Sequence, residues 1–138
     1  MDDLTFQKIS IIKNCLRRIV EITELDPGSL DNIDKQDAFV LNLQRAIQGA
    51  IDLTNVLVNK NKWMVPTTYA DGFSIVYKKG VITEEVCALM KKMCGFRNIA
   101  VHEYKEISID ILKSILKNHL TDIELFYQQV ILFEELDK

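Results

Sequence analysis

Apolar residues recur along almost the whole chain at steps of three and four, the spacing that lays them along one side of an α-helix. Ile9, Ile12, Leu16, Ile19 and Ile22 mark a first helix over roughly 4–25. Asp3 or Thr5 can cap its start, and Asp26-Pro27-Gly28-Ser29 ends it. Val40, Leu43, Ile47, Ala50 and Leu57 form the stripe of a second helix over roughly 34–60. Gly49, beside Ala46 and Ala50, gives up about 1 kcal/mol of helix propensity there, which the close approach of another helix would offset. The other side of this helix carries Arg45, Gln48, Asp52, Asn55 and Asn59. A solvated face usually favours Lys and Glu, so this amide-rich row is either an exposed face or the lining of a polar groove.

Lys60 to Thr68 reads as a loop holding Trp63 and Pro66. Tyr69, Phe73, Val76 and Tyr77 predict a short helix over about 69–79 that Gly80 stops. Thr83-Glu84-Glu85 then supplies a cap and an acidic first turn for a helix over about 83–102, through Val86, Leu89, Met90, Met93 and Phe96. A last helix over about 108–134 keeps Leu112, Leu116, Ile123, Phe126, Val130 and Phe133 in register, with Ser108 as its N-cap. No strand pattern, internal repeat or low-complexity segment interrupts this. The expectation is an all-α protein: an antiparallel up-and-down bundle of four long helices plus one short helix, in a single domain over 1–138.

Composition narrows the class. Hydrophobic residues make up 48% and charged residues 27%, the profile of a soluble globular protein. No apolar stretch approaches the roughly 20 residues that span a bilayer. The acidic start Met1-Asp2-Asp3 does not read as a signal peptide, so a cytoplasmic protein with no membrane partner is expected. Cys15, Cys87 and Cys94 are odd in number and lack CxxC or His-paired spacing, which predicts reduced, packed thiols, no metal site and no cofactor. The net charge of −3 argues against a general nucleic-acid binder. Charge is unevenly spread, however: residues 60–105 carry eight basic and four acidic side chains, leaving −7 on the remainder. An anionic ligand near that segment is therefore allowed, although lysines on solvated faces produce the same asymmetry.

The candidate chemistry sits in Phe96-Arg97-Asn98-Ile99-Ala100-Val101-His102-Glu103-Tyr104, which gathers an arginine, an amide, one of only two histidines and a tyrosine. A guanidinium grips phosphate in a planar, two-pronged fashion, and an imidazole moves protons near neutral pH. His102 could take the proton from a ribose 2′-hydroxyl or give one to a leaving 5′-oxygen, while Arg97 holds the phosphate and stabilises charge in its transition state. Asn98 could fix the imidazole or bond a phosphate oxygen. Such chemistry selects RNA, leaves a 2′,3′-cyclic phosphate and needs no divalent ion. One helix, however, separates residues five apart by about 140°. Convergence then needs either a chain that turns near His102 or two copies that pool their residues across a symmetric groove.

Arg97-x4-His102-x-Tyr104 resembles the RX4HXY signature of the HEPN superfamily, in its HepT-like toxin branch. Arg45-Ala46-Ile47-Gln48-Gly49-Ala50-Ile51-Asp52, Pro66 before Tyr69 and Phe73, and Leu89 through Tyr104 extend the similarity over nearly the whole chain. The resemblance implies a helical homodimer with Arg97 and His102 of both copies in one cleft, acting as a ribonuclease toxic to its host on tRNA or mRNA. It also implies a partner nucleotidyltransferase antitoxin that silences the toxin by transferring AMP to Tyr104. The branch's polar position on the second helix falls on Asp52 or Gln48, with Arg45 nearby as a supporting residue. The alternative is a non-catalytic module whose groove holds a nucleotide or docks the nucleotidyltransferase. His119, between Leu116 and Ile123, reads as a packing histidine rather than a ligand.

Overall fold

The computed structural model describes residues 1–136, and among these it contains six α-helices and no strand. Helix α1 (Asp3–Thr23) and helix α2 (Ile33–Asn61) pack along most of their lengths. They run antiparallel, since Asp2 meets Lys60 at one end and Lys8 meets Asp52 farther along. Gly49 lies opposite Ile12, where an added Cβ would come within 2.9 Å of the Ile12 side chain, so the glycine expected to admit a neighbouring helix does so. Asp2, rather than Asp3 or Thr5, caps α1: its extended backbone lets its carboxylate accept from the Thr5 N–H at 2.8 Å, and Thr5 itself is buried.

The expected stop after α1 is present and elaborate. Glu24 and Leu25 both take left-handed backbone angles, Asp26 accepts from the Gly28 N–H, and Pro27–Asp31 forms a 3-10 turn that buries Leu30 completely. Helix α3 (Tyr69–Lys78) is capped by Thr68 and followed by Gly80 at φ +80°, a left-handed angle that suits glycine. Helix α4 (Glu84–His102) begins at the Thr83 cap and its two glutamates.

The last expected helix is two helices. Helix α5 (Ile109–Asn118), capped by Ser108, ends at His119, and helix α6 (Leu120–Leu136) begins immediately after. His119 takes a backbone conformation outside the helical range, and its Nδ1 lies 2.9 Å from Asp122 Oδ2, which ties the break in place. The break lets α5 lean on the Pro27–Asp31 turn while α6 continues beside α4 and α2. His119 is thus a half-buried, hydrogen-bonded packing residue, as read from its neighbours.

One apolar cluster runs from Ile9 to Val130 and draws on every helix. Phe39, Phe73 and Phe126 are fully buried at its centre, the last two edge-to-face with ring centroids 5.3 Å apart. All three cysteines are buried and free, and burial pushes each thiol's pKa up. Gly72 is buried where α3 crosses α2, and a Cβ there would meet Thr54 Oγ1 at 2.4 Å. No helix among the described residues is long and apolar enough to cross a membrane.

The ends of α1, α2 and α6 are joined by charge. Lys60 Nζ donates to Asp2 Oδ2 at 2.8 Å and to both Glu134 carboxylate oxygens at 2.7 and 2.8 Å, and Glu134 is 7% exposed. Burial opposes the Lys60 charge, but the two carboxylates more than offset it and raise its pKa. Removing the ammonium strands a buried carboxylate, whereas removing both partners does not. Lys60→Ala should therefore lower the unfolding free energy by about 2 kcal/mol, and Lys60→Met/Glu134→Leu by clearly less, in urea titrations at neutral pH. An equal or greater loss in the double variant would contradict this account.

Candidate functional site

Helix α4 carries the motif to its own end. Regular helix continues through His102, and Glu103 caps it by donating its N–H to the Ile99 carbonyl at 2.7 Å. The chain therefore does not turn before His102. Arg97 and His102 keep their five-residue helical offset and leave the helix in directions about 140° apart. Within one copy they do not aim at a common atom.

Arg97 is half-buried, with its guanidinium 5.2 Å from the centroid of the Tyr69 ring at the start of α3. Its Nη1 also donates to Asn98 Oδ1 at 3.3 Å, so Asn98 engages the guanidinium rather than the imidazole. Asn98 and Tyr69 line a cleft of about 610 Å³, together with Asn55 of α2, Pro66–Thr68, and Lys91 and Cys94 of α4. Its rim is held by Asp71, whose carboxylate accepts from the Thr67 hydroxyl and backbone N–H, bonds that lower its pKa. His102 is exposed and forms no hydrogen bond among the described residues.

The polar row of α2 divides between the two environments proposed for it. Asn55 reaches the cleft. Gln48 and Asp52 face α1 instead: Gln48 Nε2 donates to Asp52 Oδ1 at 2.9 Å, and Lys8 Nζ lies 3.6 Å from Asp52 Oδ2. Gln48 Oε1 is buried without a partner among the described residues. Arg45 is exposed on the same face. The chain thus does not bring Arg45, Gln48 or Asp52 to Arg97; the side chain from α2 at the cleft is Asn55.

Tyr104 lies in a 3-10 turn (Tyr104–Glu106) directly after α4. Its hydroxyl donates to Asp37 Oδ1 in α2 at 2.5 Å. Burial, and then the adjacent Asp37 carboxylate, push the phenol's pKa up to about 12. Sequence reasoning missed Asp37, which stands 67 positions away and carries no motif. Trp63 packs on Phe133 instead of facing the cleft. Among the described residues no group of three His, Cys, Asp or Glu side chains is arranged to hold a metal ion.

Comparison with known proteins adds relatives to this geometry. The family model described as ribonuclease HepT-like matches residues 12–130. The chain is 34% identical to the mRNA nuclease HepT of Shewanella oneidensis over 126 residues, covering 91% of this chain and 95% of that protein. It superposes with TM-score 0.89 and 33% identity on the tri-AMPylated HEPN toxin of Shewanella oneidensis in complex with its MNT antitoxin, over 96% of this chain and 99% of that one. The cytosolic protein of unknown function YutE from Bacillus subtilis shares the fold, with TM-score 0.83 at 18% identity over 96% and 90% of the two chains.

The burial of the Tyr104 phenol beside Asp37 has a signature in alkali. A phenol whose folded pKa lies above its ordinary 10.0 contributes stability that is complete below about pH 10 and is lost as pH rises through about 12. Tyr104→Phe has no phenol to ionise there. Its melting temperature should fall less than that of the unsubstituted protein between those two pH values, as followed by circular dichroism. Parallel decline in both would remove the assigned shift.

Proposed function

Because the chain belongs to the ribonuclease HepT-like family, we propose that it is the toxin of a toxin–antitoxin pair: an endoribonuclease that cuts cytoplasmic RNA and is silenced by AMP transfer to Tyr104. The observation that carries this reading is Arg97-x4-His102-x-Tyr104 as one continuous stretch across the end of α4 and the turn after it, with the guanidinium over the Tyr69 ring that lines the neighbouring cleft. The domain acts as a whole over 1–138 and works as a homodimer.

The divergence of Arg97 and His102 on α4 is what calls for the second copy. A two-fold axis beside the motif turns a guanidinium from one chain toward an imidazole from the other. Arg97 then grips the scissile phosphate through paired, charge-assisted hydrogen bonds. Neutral His102 takes the ribose 2′-hydroxyl proton, the 2′-oxygen attacks phosphorus, and the 5′-oxygen leaves with a proton from the other copy's imidazole. The products are a 2′,3′-cyclic phosphate and a 5′-hydroxyl, and no divalent ion enters the balance. Asn98 and Asn55 offer neutral hydrogen bonds to the bound strand, and Lys91 offers charge.

Silencing follows from position. Tyr104 is two residues beyond His102, so an adenylate on its oxygen adds bulk and negative charge beside the groove that an RNA backbone must enter. The nucleotidyltransferase partner supplies the nucleotide.

RNA incubated with the protein in EDTA should be cut to fragments ending in cyclic phosphate. Arg97→Ala and His102→Ala should each reduce the rate by about 100- to 1,000-fold. Mixing the two inactive variants should restore part of the activity through heterodimers. Cleavage that persists in His102→Ala, or that disappears with EDTA, contradicts the mechanism; restoration on mixing supports the shared groove, and a protein that stays monomeric while cleaving contradicts it.

A further inference from the structure

Tyr104 needs help to act as a nucleophile. Its phenol is protonated at neutral pH and held so by burial and by Asp37, so a preformed phenolate is scarce far below about pH 12. A neutral phenol attacks phosphorus effectively only if its proton departs as the new bond forms. Asp37 Oδ1 already accepts the hydrogen bond of that proton, so the carboxylate is in direct contact with the group a general base must deprotonate. Asp37 lies exposed near the start of α2, where a single surface hydrogen bond adds little to stability. Among the described residues it is the charged group that bears on the phenol.

We propose that Asp37 is the general base for modification of Tyr104, taking the phenolic proton as Tyr104 Oη attacks the α-phosphorus of a nucleoside triphosphate held by the partner nucleotidyltransferase. The Oη–P bond forms as the bond from phosphorus to the β-phosphate bridging oxygen breaks. Pyrophosphate leaves with that electron pair, and the proton passes to the Asp37 carboxylate and then to solvent. The acceptor protein thus brings its own base to a reaction whose nucleotide is bound by another chain. This rests on the reading of Tyr104 as the AMP acceptor, and it adds the residue that makes the acceptor competent.

The test uses the full chain with its partner nucleotidyltransferase, ATP and magnesium, following AMP addition by intact mass and peptide mapping. Unsubstituted protein modified at a residue other than Tyr104, or not at all, rejects the acceptor assignment itself. With Tyr104 modified, Asp37→Asn should keep the hydrogen bond and the affinity for the partner while the first transfer slows by about 100- to 10,000-fold. Its residual rate should climb roughly tenfold per pH unit above neutrality, because the phenol must then ionise first, whereas the unsubstituted rate stays level. Asp37→Glu, which retains a carboxylate, should recover part of the rate. A change of less than about threefold in Asp37→Asn overturns the proposal. So does a slower transfer with an unaltered pH profile, which would mark Asp37 as a positioning residue, and so does a loss explained by weaker partner binding.

Discussion

Much of what this molecule can do follows from the regularity of α4 between Arg97 and His102. A helix turns 100° per residue, so two side chains five positions apart leave it on different sides however well the rest of the chain packs. Nothing in the fold bends to correct this: the hydrogen-bond ladder runs to His102, and Glu103 closes it on Ile99. The guanidinium is drawn back against Tyr69 and Asn98, while the imidazole is left in solvent. An isolated chain therefore presents a guanidinium on one side and an exposed imidazole on another. The shared-groove proposal rests on that divergence.

The helices were legible because their apolar faces are long and their ends are punctuated. Thr83 with two glutamates, Ser108 and Gly80 each mark a boundary by a local mechanism, and the structure places boundaries there. The division at His119 was not legible, since Leu116, Leu120 and Ile123 keep the same period on both sides of it. Periodicity reports which face is buried and is blind to a one-residue interruption that preserves that face. The cap on α1 moved one residue toward the N-terminus for a similar reason: three acceptors stand close together, and only the backbone angle at Asp2 selects among them.

At the site, the part carried by consecutive residues could be read directly, and the part assembled by packing could not. Arg97, Asn98 and His102 share α4, so their order along it gives their relative directions, whereas Tyr104 lies beyond the helix end in its own turn. The contribution of α2 was harder. Gln48, Asp52 and Asn55 lie on nearly the same helical face, yet α1 covers the first two and leaves Asn55 to the cleft. Which member of a polar row meets the cleft depends on how the neighbouring helices cross over it, and that information is absent from the row itself. Asp37 is the extreme case, an ordinary surface aspartate by every local measure whose meaning comes from the turn that delivers Tyr104 to it.

Gly72 shows how far the site's dependence extends into residues with no chemistry of their own. The Thr54 hydroxyl, committed to the Ile51 carbonyl, occupies the space that a side chain at 72 would need. The two helices can therefore touch backbone to side chain, and their separation is set by a hydrogen atom. Tyr69 begins the same helix less than one turn upstream, and its ring is the floor under the guanidinium. The elevation of that floor is thus calibrated by an omission: one methyl group more at the crossing would tilt the platform, and the guanidinium resting on it would shift as well.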